Sequence, residues 1–353
     1  MHKVRFLLVS ITLLFAAGLC QAQSALLDLP RKSQNAQVTQ TIGITNVTVK
    51  YSRPLVNGRK VWGGLVPYGE VWRAGANENT TITFSDPVSI EGKPLDKGTY
   101  GLFMIPTADQ WTVIFSKTAT AWGAFTYKPE EDVLRVTVKP AASDFHDALL
   151  YNFDQLTPDS ALVTLRWDKL AVPFKVSVNV PQVVEQSLAK QFRGIVQYTW
   201  VSYDDAANYF LDAKIDLPEA LKYADLSIGA EERYDNLMTK SRILAAMGKT
   251  DEAKTVAAQA LAKADAPQSY QYARQLQRDN KQDEAFAIYR TIAKKYPTNL
   301  FAYAGLARIA VGDGNYDEAV KDMKLAKDAA PENAKNQIQG LINRLEAKEN
   351  INK

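Results

Sequence analysis

The chain has 353 residues, with 42 Lys and Arg against 39 Asp and Glu, one Cys and two His. A formal charge of only +3 excludes a polyanion binder acting by bulk charge, so nucleic acid and anionic membrane surfaces are not expected partners. So few Cys and His exclude a disulfide framework and a His-rich or Cys-rich metal site.

At the start, Lys3 and Arg5 precede an apolar run from Phe6 to Leu19, and Cys20-Gln21-Ala22 supplies small residues for cleavage. This is the pattern of a secretory signal peptide over residues 1–22. The run is too short for a membrane anchor, which needs about 18 apolar residues or more, and no later segment matches it. The periplasm is the expected location; Cys20 leaves lipid tethering as a lesser alternative, disfavoured by the bulky Leu19 before it. Cleavage removes the only Cys and one His, so His146 stands alone in the mature chain. No motif calls for a cofactor or a metal.

Residues 23–182 read as all-β. Period-two alternation recurs at Thr80-Ile82-Phe84, Trp111-Val113-Phe115, Leu134-Val136-Val138, Leu149-Tyr151-Phe153 and Val172-Phe174-Val176-Val178-Val180, the pattern of strands buried on one face. Ile42-Ile44 and Val47-Val49-Tyr51 alternate in opposite phases, which predicts a bulge or break at Thr45-Asn46. Turns are expected at Glu91-Gly92-Lys93 and Asp96-Lys97-Gly98. Eight or nine short strands without helix signals predict an antiparallel β-sandwich. Trp111 and Trp167 fall in alternating strands and are expected in its core.

Between these strands lies a long stretch from Tyr51 to Thr81, rich in Gly and Pro yet carrying Trp62, Tyr68, Val71 and Trp72. Loops of this length are usually functional or disordered, and the large apolar residues predict an ordered loop over one end of the sandwich. Arg53, Arg59, Trp72, Arg73, Asn77 and Glu78 could converge there with Trp122 from a second loop. Such a mix of donors, acceptors and a flat ring suits a small polar ligand or a glycan. The alternative, an Arg and Glu clasp with Trp as a loop plug, carries the larger weight. His146, between Asp144 and Asp147 in a turn-like segment, is a general base by type, but no Ser nucleophile motif surrounds it.

The stretches VWRAGANENTTITF, IEGKPLDKGTYGLFMIP, WTVIFSK and WG resemble an uncharacterised domain family of exported bacterial proteins, the domain of unknown function DUF2911, over about residues 26 to 180. The resemblance implies an envelope setting and no activity, so it brings no catalytic residues with it.

After Pro181, Val183 to Trp200 predicts a linker helix (183–201). Then Glu-Ala recurs at 219, 252, 284 and 318, a period close to that of a stacked helical-hairpin repeat. Ser241, Ala273 and Ala307 stand where two helices must cross closely, and Pro297 and Pro331 where the second helix must end. These positions are similar to those of tetratricopeptide repeats, predicted over 202–333. Asn208 occupies a small-residue position and makes the first unit degenerate. Gly248-Lys249 and Gly314-Asn315 are expected turns, and Asn336 to Lys348 a polar capping helix within 334–353. Tyr270, Tyr272, Tyr289, Tyr296 and Tyr303 are expected in the core between repeats, with a peptide groove as the alternative.

The predicted fold is therefore an antiparallel β-sandwich followed by a helical solenoid. The expected function is a non-catalytic, exported binding or scaffold protein, whose repeats dock a protein partner and whose β domain holds a small polar ligand or glycan. Two alternatives stand beside it. One is a glycan-handling enzyme using Glu70 and Glu78 as paired carboxylates; the other is a pure scaffold whose β domain is structural.

Overall fold

The computed structural model describes residues 29–352; the expected signal peptide lies outside them. The chain divides into two units, residues 1–183 and 184–353.

The first unit holds strands β1 (Gln34–Ile42), β2 (Thr45–Arg53), β3 (Thr81–Phe84), β4 (Val88–Ile90), β5 (Lys93–Leu95), β6 (Gly98–Pro106), β7 (Trp111–Ser116), β8 (Asp132–Val138), β9 (Ala141–Asp154) and β10 (Ser160–Ser177). They form a six-stranded sheet in the order β1-β2-β3-β6-β7-β8 and a four-stranded sheet in the order β5-β4-β10-β9, all antiparallel. The inward faces of both sheets share one apolar core, in which Val49, Ile82 and Phe115 meet Leu149, Leu165 and Phe174. Between the sheets the Phe115 and Phe174 rings sit edge to face at 5.8 Å, and the Tyr51 hydroxyl accepts from the Tyr151 amide at 3.1 Å.

Three local expectations are corrected. The phase change near Thr45 is a hairpin turn: Ile42 pairs with Thr45 across Gly43-Ile44, and Gly43 adopts φ +59° where a Cβ would also strike Val180 at 2.6 Å. The segment around His146 is strand β9 opposite β10, with His146 facing Asp168 in the register. Finally, the alternation of β10 does not run through Val180, because Val180 opens a helix.

Strand β10 buries Val163, Leu165 and Trp167 in one phase, then Val172, Phe174 and Val176 in the other. A strand that kept strict register would turn its second half outward. Register shifts on both sides of Asp168, which has φ +53°, absorb the slip and keep both halves facing the core.

The remaining chain is helical: α1 (Val180–Gln191), α2 (Trp200–Asp212), α3 (Leu217–Ala230), α4 (Tyr234–Ala246), α5 (Thr250–Lys263), α6 (Ala266–Arg278), α7 (Gln282–Lys295), α8 (Leu300–Gly312), α9 (Tyr316–Asp328) and α10 (Glu332–Glu346). The expected linker helix over 183–201 is instead α1, a 3-10 turn at Ile195–Tyr198, and the start of α2. Gly194 and the Thr199 cap, whose hydroxyl accepts from the Ser202 amide at 3.3 Å, separate them.

From α2 to α9 the helices pair as four hairpins, the first joined by four residues and the other three by three residues each. Each second helix opens with the Glu-Ala pair: Ala220, Ala253, Ala285 and Ala319 are buried at the crossings. The acid beside each one lies in the first turn, where the helix dipole favours negative charge. Ala273 and Ala307 are fully buried, and the Ser241 hydroxyl donates to the Ala253 carbonyl at 2.8 Å. Tyr289 is fully buried between hairpins, with Tyr270 and Tyr296 packed around the same cluster. The last helix begins at Glu332 and is amphipathic, burying Ile338, Ile342 and Leu345 against α8 and α9.

Candidate functional site

The long segment between β2 and β3 is ordered, as expected, but its large residues turn inward. Trp72 exchanges backbone hydrogen bonds with Met104 of β6 at 2.8 Å each way. This pairing drives the ring into a cluster with Trp62, Trp111 and Trp167, at centroid distances of 4.9 to 6.4 Å. The Trp72 indole donates to the Gly75 carbonyl at 3.1 Å, and only 9% of the residue is exposed. Trp72 is thus a core residue here, a correction to its expected place on a ligand-facing surface.

The other singled-out residues scatter over several roles. Arg53 donates through Nε to the Leu149 carbonyl at 2.8 Å and ties β2 to β9. Arg59 is spent on the carbonyls of Val56 and Leu55. Arg73 is half-buried, its Nε has no partner, and burial lowers its pKa. Asn77 donates to the Ser33 carbonyl and accepts from the Gly123 amide through its own carbonyl, which joins three segments at one rim. Glu70 is exposed near Gly69, which pairs with Pro106, whereas Glu78 pairs with Trp122. The two carboxylates therefore sit at opposite ends of the segment that runs beside β6.

Glu78 does line a cavity, of about 340 Å³, with Asn35, Lys50, Ser52, Asn79 and residues 119–121. Its floor is the β1, β2 and β3 side of the large sheet. Its wall is the loop after β7, held by the Asn79 amide on the Ala121 carbonyl at 2.9 Å and by Asn79 Nδ2 on the Thr118 carbonyl at 3.3 Å. That loop can approach only because position 101 is glycine; a Cβ there would overlap Thr118 O and Asn79 Nδ2.

The chemistry of the lining is polar and directional. The Ser52 hydroxyl donates to Asn35 Oδ1 at 2.8 Å. Asn79 is 7% exposed, and its Oδ1 has no partner within the protein. A buried acceptor without a donor costs about 1 to 3 kcal/mol. Burial pushes the Glu78 carboxyl up, but the hydrogen bond and charge of Arg31 outweigh it and leave the group below its ordinary value. Lys50 supplies a cation from β2 in the floor. Next in sequence to Ala121, Trp122 is 55% exposed, and Phe125 is 86% exposed. Among the described residues no group of three His, Cys, Asp or Glu could hold a metal.

Of the residues chosen from sequence, Glu78 lines the cavity, and Trp122 pairs with it through an isolated bridge. Sequence reasoning missed Asn35, Lys50, Ser52 and Asn79. Alternation along β1 and β2 placed some of these on the face away from the core, but only the wall built by the later loop turns that face into a cavity.

The fold and site define a two-unit protein: a ligand-sized polar cavity on paired antiparallel sheets, then a helical-hairpin solenoid. Residues 33–176 match the family model described as "Protein of unknown function (DUF2911)". No curated protein matches the chain. Among solved structures, YrrB, described as a TPR protein with an unusual peptide-binding site, is 17% identical, covering 45% of this chain and 84% of its own, with TM-score 0.29. A mutant of MamA is 18% identical, covering 44% of this chain and 87% of its own, with TM-score 0.26. The solenoid assignment rests on the four hairpins themselves. Among the described residues no helix is long and apolar enough to cross a membrane.

Proposed function

We propose that this is an exported, non-catalytic binding protein of the cell envelope, which holds a small polar ligand of the glycan class in the cavity beside Trp122 and docks a protein partner through its hairpins. The observation that carries the ligand reading is the polar cavity lined by Asn35, Lys50, Ser52 and Glu78, with the exposed Trp122 following its wall residue Ala121. Hydroxyl-rich rings suit such a lining, because their hydroxyls pair with its amide, hydroxyl and charged groups while the apolar ring face stacks on Trp122. The separation of Glu70 from Glu78, and the Arg31 pair on Glu78, favour binding over hydrolysis by paired carboxylates. Export rests on the leader pattern of residues 1–22, and docking on the repeat architecture, whose stacked units offer long surfaces to other chains.

Calorimetric titration of the full chain with a panel of mono- and disaccharides tests the ligand half. At least one sugar should bind, and Trp122→Ala and Lys50→Ala should each weaken it by about tenfold, equivalent to about 1.4 kcal/mol. If no saccharide binds, or if both variants bind like the parent, the glycan assignment fails. For the docking half, affinity capture from native envelope extracts with the full chain should retain a defined protein; an empty capture would count against docking.

A further inference from the structure

The first helices of the four hairpins begin at Trp200, Tyr234, Ala266 and Leu300. Equivalent positions eight residues on carry Asn208, Arg242, Arg274 and Arg308. Stacked repeats point equivalent residues the same way, so these side chains run in file. Contacts agree within each half of the file. Arg242 Nη1 donates to Asn208 Oδ1 at 3.0 Å, and Arg274 lies near enough to Arg308 that the neighbouring charge, after burial, lowers its pKa.

Two of these arginines lack the partner their chemistry calls for. Arg242 pairs with Asp212, but among the described residues Arg274 and Arg308 make no ion pair. Arg274 is half-buried and donates to Gln277 Oε1 at 2.6 Å; beside it Gln277 is 7% exposed with Nε2 unpartnered. Arg308 is 5% exposed, and its partners are the Tyr270 hydroxyl at 2.8 Å and the Ile351 carbonyl. Burying a guanidinium among neutral groups is unfavourable, and an anion would offset that cost.

What covers Arg308 shows how a peptide sits there. Past α10 the chain returns to α8: Ile351 inserts its side chain into the core, its carbonyl accepts from Arg308, and Asn352 Nδ2 donates to the Arg308 carbonyl at 2.8 Å. The segment is held as a docked peptide is held, by one apolar anchor and backbone-directed hydrogen bonds.

We propose that the face of α6 and α8 bearing Arg274 and Arg308 is a docking site for an extended acidic peptide, and that residues 350–352 occupy its Arg308 end as an internal ligand. This rests on the docking half of the proposed function and assigns it residues and a ligand chemistry. Carboxylates of the incoming peptide pair with Arg274 and, once residues 350–352 lift and the Ile351 carbonyl leaves Nη1, with Arg308.

Fluorescence anisotropy of a labelled peptide, Glu-Asp-Glu-Ile-Asn, against the full chain tests this. Asn352→Ala, which removes the hydrogen bond holding the covering segment to the Arg308 carbonyl so that residues 350–352 lift more readily, should tighten binding by about fivefold, the worth of one neutral hydrogen bond. Arg274→Gln in that background should weaken it by about tenfold or more, and the neutral peptide Gln-Asn-Gln-Ile-Asn should bind no better than the Arg274→Gln variant. An unchanged far-ultraviolet melting curve certifies that each variant is folded. Equal affinity for the two peptides, indifference to Arg274→Gln, or no binding by any variant overturns the site. Capture of an envelope protein that persists in Arg274→Gln would leave docking standing without this site. Peptide binding with an empty capture would keep the site and discard the envelope partner.

Discussion

Single atoms decide the properties of several residues. Gly101 lies where the loop wall of the cavity crosses β6, and the Cβ of Gly101→Ala would meet a backbone carbonyl that cannot swing aside. We expect this change to destabilise the β unit by roughly 1 to 3 kcal/mol, seen as an earlier urea midpoint in tryptophan fluorescence, and to weaken saccharide binding with it. Tyr234 shows the same sensitivity in its titration. Burial, aided by the Asp235 charge, pushes its hydroxyl up to about 12, against about 10 in an unfolded chain. The folded state favours the protonated phenol, so this contribution is complete below pH about 10 and is lost as pH rises towards about 12. Tyr234→Phe should therefore make the helical melting temperature fall less steeply across that window than it does in the parent, and an identical slope would remove Tyr234 as a contributor.

Between elements, helix packing separates two glycines that sequence cannot tell apart. Gly305 lies within α8, where a Cβ would stand 2.9 Å from the Tyr289 ring, while a Cβ at Gly340 in α10 would meet nothing within 4 Å. Gly340→Ala should stabilise the helical unit by about 1 kcal/mol through helix propensity alone. Gly305→Ala should destabilise it, because Tyr289 is fully buried and bonded to Gln277 at 2.9 Å and has little room to yield. Urea titrations followed by circular dichroism compare the two directly, and the same sign of change in both would contradict the packing at α7 and α8. Similar reasoning explains which elements were readable beforehand. Hairpin positions were legible because Glu-Ala and small residues mark each crossing, whereas the turn at Gly43 and the phase slip in β10 were not. Alternation reports which face is apolar and does not say where the chain reverses or adds a residue.

For the molecule as a whole, charge sets a plain expectation. With 42 basic against 39 acidic residues, the chain lacks the excess that releases counterions from polyanions. It should pass through a heparin column at physiological salt without retention, and retention that salt abolishes would expose a basic patch that bulk charge hides. The candidate cavity shows why the whole chain was needed to see the site. Asn35, Lys50 and Ser52 come from the first hairpin, Glu78 and Asn79 from the long segment, and Ala119–Ala121 from the loop after β7. Spacing in the sequence carries no sign that these three pieces close on one another. Of the residues picked as site candidates, the large ring of Trp72 was drawn to the core by its apolar area, while Arg53 is held by the Leu149 carbonyl of β9 and Arg59 by carbonyls of its own loop.

By itself the sequence determined the division into a β unit and a helical unit, the repeat period, the crossing positions and the near-neutral charge, because periodicity and composition are local or additive properties. Only the tertiary structure decided that Trp72 packs inward while Trp122 faces out, that Asn79 is left with an open acceptor, and that the chain's own Ile351 and Asn352 lie on Arg308. Those outcomes depend on which distant segments compete for the same space, and no residue carries that competition in its own neighbourhood.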